Sequence, residues 1–574
     1  MAQAAIPRFE PRGRSEDLVV LLHAYRRSPE KLRAVRDVVA EELPDADLLT
    51  PPLPVACFSM ADPTSVATKL IEEIDSLWEG RKTSHGDGYR RIIFVGHSFG
   101  GLLARKICVY ACGENPEAPF ERGAPRELKE WALRIDRIIL FAAMNRGWSI
   151  THHMSLGQTV FWRAATVAGN FLMLIRRRPL LIFTIRKGGR FISQLRIHWL
   201  AMIRHAQEKG VGNVLTVQML GSGDDLVAPE DNVDLLTGRD FIYLDVPQSS
   251  HGTVVDLADA QAGKPREEVF LLALRGTRAD LDDMKVVPAD IEPQKSRPEV
   301  TDVIFVIHGI RDRGFWTQKI ARRVKALGRK EGKIFATETS TYGYFAMFPF
   351  LLSSTRREKV EWLIDQYTEN LALYPCADFS FVGHSNGTYL LGKALNEYPA
   401  CHFKHVVFAG SVLRTDYDWA EKIRSGRVCA VLNYVASADW VVAFSTKAFQ
   451  IMGLQDLGSA GHDGFVVPAD VSAVQQVRFV KGGHGAAVKE ENWDSIAQFI
   501  VDPSKMREPE EIIASDRSPL VKFSGAVSPA LWLILAGVLI LIGYAIVSND
   551  LPDSLKTIVL VAYIWGLWKV GTYI

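Results

Sequence analysis

The sequence predicts an α/β fold: two tandem domains, each a mostly parallel sheet flanked by helices, followed by one or two C-terminal transmembrane helical segments. Three observations predict it. Short apolar runs alternate with helix-like stretches, as parallel strands joined by helical crossovers require. The runs, and the polar residues that end them, occur twice along the chain. Two long apolar runs close it.

A chain of 574 residues exceeds what one hydrophobic core can organise. A net charge of +1 gives no overall attraction to nucleic acid. None of the six cysteines forms a Cys-x-x-Cys, so a zinc or dithiol redox site is disfavoured and reduced, mostly buried thiols are expected.

Leu18–Leu22 ends in His23, and Val303–Ile307 ends in His308-Gly309. Arg91–Val95 runs into Gly96-His97-Ser98-Phe99-Gly100, and Phe379–Val382 into Gly383-His384-Ser385-Asn386-Gly387. The histidine precedes the serine by 75 residues in one half and 77 in the other. Each serine is followed by a helical stretch and then another strand, Ile138–Ala142 or His405–Ala409. The intervening segment from Val286, rich in Pro, Asp and Glu, reads as a linker. The domains are therefore 1–285 and 300–510, joined by 286–299, with a membrane anchor at 511–574.

Gly-x-Ser-x-Gly between a strand and a helix is a nucleophile elbow. The chain reverses so tightly at the serine that its neighbours must be small. The turn lifts the hydroxyl clear of the sheet and sets the next N–H, of Phe99 or Asn386, at a helix N-terminus, where it can hold an oxyanion. The serine needs a base, and the base an orienting carboxylate, in the order Ser, acid, His. In the first half the strand Val214–Leu220 opens into a loop with Asp224 and Asp225, and Phe241–Leu244 leads to His251. In the second, Val431–Val435 precedes Asp439 and Val477–Val480 precedes His484. The two candidate triads are Ser98–Asp225–His251 and Ser385–Asp439–His484. No metal or organic cofactor is expected: there is no Gly-rich phosphate loop, Rossmann fingerprint or His-Glu-x-x-His.

On these motifs both halves resemble α/β-hydrolases over about Asp17–Thr277 and Val300–Val501. The first is similar to the lipase and serine-esterase branch that includes GPI-inositol deacylases, with Asn145-Arg146-Gly147-Trp148-Ser149 a partial match to that branch's Pro-His-x-Gly-Ser. The resemblance implies ester or thioester hydrolysis through an acyl-enzyme. It favours Asp225, four residues before Pro229, over Asp224. It also implies a second oxyanion donor after the strand-ending histidine, Tyr25 in one half and Ile310 in the other. The second half keeps the family's His-Gly; the first has His23-Ala24.

Relative to the second half, the first carries an insertion of about 70 residues between serine and acid, where relatives have a lid, at about 150–210. Thr151–Arg204 has no Asp or Glu, and nine cations: Arg163, Arg176, Arg177, Arg178, Arg186, Lys187, Arg190, Arg196 and Arg204. Such a basic, apolar segment suits an anionic bilayer surface; the alternative is that its helices are buried against the second domain, their arginines paired with carboxylates there. In the second half, the aromatic run Tyr342–Phe350 is expected to line an acyl pocket or to pack between domains.

Met1–Glu16 shows no signal-peptide core. Ala526–Val547 is 22 residues without a charge, enough to cross a bilayer. Ile558–Ile574 is a shorter second run with one lysine. Lys505, Arg507, Arg517 and Lys522 precede the first run and predict that the domains face the cytoplasm. The expected function is that of a membrane-associated esterase or lipase acting on an acyl ester, probing no nucleic acid. The alternatives are a non-catalytic membrane scaffold, or peptidase or thioesterase chemistry.

Overall fold

The computed structural model describes residues 5–12, 16–120, 124–148, 178–223, 241–286, 296–310, 312, 314–343, 345–453, 455–507 and 510–573. The chain divides into two compact units, close to 1–295 and 296–574 except that 367–372 cluster with the first.

The first unit is built on β1 (Phe9–Glu10), β2 (Asp17–Leu22), β3 (Asp47–Leu49), β4 (Arg91–His97), β5 (Ile135–Phe141), β6 (Leu215–Gly221) and β7 (Phe241–Val246). Their order is β1-β3-β2-β4-β5-β6-β7, parallel throughout except at β1. The second unit has β8 (Asp302–Ile307), β9 (Phe335–Glu338), β10 (Asp378–His384), β11 (Phe403–Ala409), β12 (Val428–Ala436) and β13 (Val474–Val480), all parallel, in the order β9-β8-β10-β11-β12-β13. Apart from β1, the two sheets have the same topology.

The inner strands β2 and β8 are buried at every position and apolar after their first residue, because both their faces are covered. Leu18, Val20 and Leu22 point into one core cluster while Val19 and Leu21 point into another across the sheet. The helices that cover the sheets include α1 (Arg33–Glu42), α2 (Pro63–His85), α3 (Phe99–Ala111), α4 (Arg190–Arg204) and α5 (Gly263–Arg275) in the first unit. In the second they include α6 (Thr317–Lys330), α7 (Met347–Leu351), α8 (Asn386–Glu397) and α9 (Trp493–Val501).

The expectation of a lid on the bilayer needs correction over its described part. Arg163, Arg176 and Arg177 lie outside the described residues. Downstream, α4 is core: Phe191, Ile192, Leu195 and Trp199 join the cluster that holds the first sheet. Arg196 is 2% exposed, and α4 packs on α3, the helix that follows Ser98. Lys106 Nζ lies 3.4 Å from His198 Nδ1, and the Arg105 guanidinium sits 4.6 Å over the Trp199 ring. Cationic heads can be withdrawn from water onto aromatic faces, as Arg186 of the insertion is 5.5 Å over the Phe183 ring, so basic composition here did not mean a wholly exposed surface.

After α9 come α10 (Pro519–Ala526), α11 (Ser528–Ser548) and α12 (Asp553–Tyr573). Among the described helices α11 is the one long and apolar enough to cross a membrane, with a mean hydropathy of 2.7. The second apolar run is also helical, and Tyr563 on α12 donates to Leu539 O on α11 at 2.8 Å. The segment before α10 does not begin the anchor, as the boundary at 511 implied. Ile512 and Ile513 pack on the second unit's core.

Candidate active sites

The two elbows have one backbone. Ser98 has φ 52° and ψ −114°; Ser385 has φ 52° and ψ −119°. A positive φ at a non-glycine residue costs of order 1–3 kcal/mol and persists only where its surroundings impose it. They do so here. Ser98 N donates to Phe141 O at 2.8 Å and Ser385 N to Ala409 O at 3.0 Å, tying each elbow to the end of the neighbouring strand. The second glycine of each motif cannot carry a side chain. A Cβ on Gly100 would stand 2.0 Å from Leu22 O, and one on Gly387 2.6 Å from Ile307 O.

In the first site Ser98 Oγ lies 3.0 Å from His251 Nε2. The loop after β6 is laced to the His251 loop, Gly223 N donating to Ser249 O at 2.8 Å. Asp225, and Asp224 beside it, lie outside the described residues. In the second site the acid and base are paired: His484 Nδ1 is 2.9 Å from Asp439 Oδ2 and 3.1 Å from Oδ1, and Val442 N donates to Asp439 Oδ1 at 3.0 Å. Burial pushes the Asp439 carboxyl up, yet the pull of His484 and these hydrogen bonds leaves it below the usual range. Burial pushes His484 down, and the adjacent Asp439 carboxylate more than reverses that, so the imidazole is raised above 6.5.

No hydrogen bond joins Ser385 to His484, which separates the second site from the first. A local difference accompanies this. The residue after β5 is Ala142 and the residue after β11 is Gly410, both at positive φ. A Cβ on Gly410 would stand 2.8 Å from His484 Cε1 and 2.9 Å from its Nδ1. His484 therefore occupies space open to it because position 410 has no methyl.

Two further histidines in each unit act on the backbone of the site. His97 Nε2 donates to the main-chain carbonyl of His251 at 2.8 Å, and His384 Nε2 to that of His484 at 3.2 Å. Burial, then the neighbouring His251, holds His97 down at about 3; burial and His484 hold His384 at about 4. Both are neutral at pH 7, with the proton on Nε2. The sequence carried a sign of them: histidine fills the same place before both serines.

His23 and His308 orient the second set of amides. Leu53 N donates to His23 Nε2 at 2.9 Å, so the proton is on Nδ1, which donates to Ala24 O at 3.0 Å. His308 Nδ1 donates to Gly309 O at 2.8 Å, with Thr341 Oγ1 2.6 Å from its Nε2. A trans peptide points its C=O and N–H in opposite directions. Holding Ala24 O therefore aims the N–H of Tyr25 the other way, and holding Gly309 O does the same for Ile310. The N–H groups of Tyr25, Phe99, Ile310 and Asn386 meet no acceptor among the described residues. Ala24 in place of glycine leaves the histidine-to-carbonyl bond intact. At Gly309 a Cβ would stand 2.7 Å from that of Ser385, so there the glycine is needed. Tyr342, from the aromatic run, closes the second site: its hydroxyl donates to His308 O at 2.9 Å and accepts from Asn386 Nδ2 at 3.2 Å.

Residues 13–125 match the family described as "Putative serine esterase (DUF676)". No curated protein matches the chain in sequence. Solved structures similar to it are α/β-hydrolases. A lipase-esterase related protein from Clostridium acetobutylicum is 10% identical, with a TM-score of 0.28, over 46% of this chain and 98% of that one. An esterase from Exiguobacterium antarcticum is 16% identical, with a TM-score of 0.27, over 45% and 92%. The phospholipase PlaB from Legionella pneumophila is 13% identical, with a TM-score of 0.31, over 52% and 72%.

Proposed function

We propose that the chain is a membrane-anchored serine esterase or lipase built from two hydrolase domains, with Ser98 and Ser385 as nucleophiles. The observation that carries the reading is the strained elbow that sets Ser98 Oγ 3.0 Å from His251 Nε2. His251 takes the serine proton as Oγ attacks the acyl carbonyl. The N–H groups of Phe99 and Tyr25 hold the oxyanion, and Asp225 is assigned as the group that orients His251. The same imidazole returns the proton to the leaving alcohol, and water then releases the acyl group. In the second domain Asp439 and His484 take the corresponding roles. The anchor is α11, and the cations before it favour domains that face the cytoplasm.

A fluorophosphonate probe tests this on the full chain. Labelling is expected in the wild type and in each single variant, Ser98→Ala and Ser385→Ala, and lost in the double variant. Absence of labelling in a folded wild-type chain would sink the reading.

One observation favours a second reading for the second domain alone. The missing Ser385–His484 hydrogen bond suits a domain kept as a membrane scaffold, in which case Ser98→Ala by itself abolishes labelling.

A further inference from the structure

The polypeptide between α9 and α11 is woven into the second site. Lys481 N donates to Ile512 O at 2.8 Å and Ala514 N to Phe479 O at 2.8 Å. These bonds grip the strand end that leads to His484, where Phe479 is held at a φ of 68°. Ser518 N then donates to Ser437 O at 2.8 Å, two residues before Asp439. The arms that carry the base and the acid are thus braced by one segment.

That segment continues into α10, which lies against the residues that follow Asp439. A Cβ on Gly525 would stand 3.4 Å from Ala443 Cβ, from Lys447 Cδ and from His462 Nε2. The opposite side of α10 is apolar and exposed: Leu520 and Phe523, three residues apart on one face, are 80% and 67% exposed. A short helix that presents leucine and phenylalanine outward beside an apolar span suits a bilayer surface. Near that same end of α11, Trp532 stacks on Phe444 at 5.3 Å and donates to its carbonyl at 2.9 Å. Residues 442–446 form a π-helix, a distortion found often at functional sites. On another side, α7, from the aromatic run, packs against α12. A helix with its side chains is roughly 10 Å across, so the acid arm stands about one helix diameter from lipid.

We infer that the Ser385 site takes its acyl substrate directly from the bilayer that holds the C-terminal helices, with α10 as the contact between them. This rests on the esterase reading of the second domain.

The experiment uses the full Ser98→Ala chain in phosphatidylcholine–phosphatidylglycerol vesicles, given a vesicle-embedded long-chain acyl ester or a soluble short-chain ester. Both should be cleaved. Adding Leu520→Ser and Phe523→Ser should lower cleavage of the embedded ester about tenfold or more, as loss of buried apolar contact predicts. Soluble-ester cleavage and co-flotation with vesicles should be unchanged, because neither side chain touches the triad and α11 remains. Equal cleavage of the embedded ester by both chains overturns the inference, as does cleavage of the soluble ester alone by the parent chain. Cleavage of neither ester, without fluorophosphonate labelling of Ser385, removes the esterase reading of this domain and the inference with it.

Discussion

The ring of His97 donates to the main-chain carbonyl of His251 at 2.8 Å, so the residue before the candidate nucleophile holds the backbone of the candidate base. The two are 154 residues apart in sequence. Ser98 and His251 are thereby positioned from one short strand end.

His97→Phe should remove this hold while preserving bulk. In a Ser385→Ala background, kcat for a soluble ester should fall about ten- to a hundredfold with little change in KM, as small displacements at a reacting centre do. His97→Gln, which keeps an N–H, should recover part of the loss. A KM effect with kcat unchanged would rule out a positioning role.

Holding the oxyanion peptide is the role assigned to His308. His308→Ala should slow fluorophosphonate labelling of Ser385 by about 10²-fold, the size of losing one oxyanion donor. Unchanged thermal unfolding of the second unit, which holds both His308 and Ser385, reports that folding is intact. Equal labelling of Ser385 with and without the imidazole would detach it from the oxyanion site.

The raised pKa of His484 fixes the sign of a pH effect. A general base works unprotonated, so reactivity at Ser385 should rise with pH through a midpoint above 6.5. In Asp439→Asn the burial that lowers the pKa remains and the carboxylate that raises it is gone. The midpoint should then fall below 6.5, alongside a large loss of rate. The labelling rate of the Ser98→Ala chain against pH measures the first, and the His484 Cε1–H resonance measures both. A midpoint that does not move on substitution contradicts the assignment.

At the first elbow, Gly100→Ala puts a methyl 2.0 Å from Leu22 O. Backbone cannot yield as a flexible side chain can, so the elbow should be lost and with it labelling at Ser98. Labelling at Ser385 should persist. Retained Ser98 labelling would show that the turn tolerates more than its geometry suggests.

The burial of α4 separates two kinds of substitution in the insertion. Trp199→Ala should destabilise the first unit by about 3–5 kcal/mol, the range for emptying a large core position. Arg178→Glu, at an exposed position, should change stability by less than about 0.5 kcal/mol. Thermal unfolding followed by loss of Ser98 labelling compares them. Similar shifts would argue that α4 is a detachable lid.

Much of the fold was legible because it is local. Val303–Ile307 and Leu18–Leu22 are apolar at every position, and only a strand covered on both faces needs that. The elbows were legible because glycine on either side of serine is a steric demand that sequence displays directly. Asp439 and His484 could be paired by their order after β12 and β13. The insertion was misread over 181–204 because cations signal solvent unless aromatic faces or distant carbonyls receive them, as Phe183 receives Arg186 and Leu371 O receives Arg204. The role of residues 511–527 was missed because hydrogen bonds from Ala514 to Phe479 and from Ser518 to Ser437 are main-chain bonds, which side-chain patterns do not record.

By itself, the sequence determined the repeat, the sheet-and-helix alternation, the two elbows and an apolar span near the end, since each follows from residue type at short range. Only the tertiary structure decided which hydroxyl meets its imidazole and which does not, which way the oxyanion peptides face, and that the segment before α10 braces the second site. Those depend on backbone groups and ring orientations brought together across long separations, where fractions of an ångström make or break a hydrogen bond.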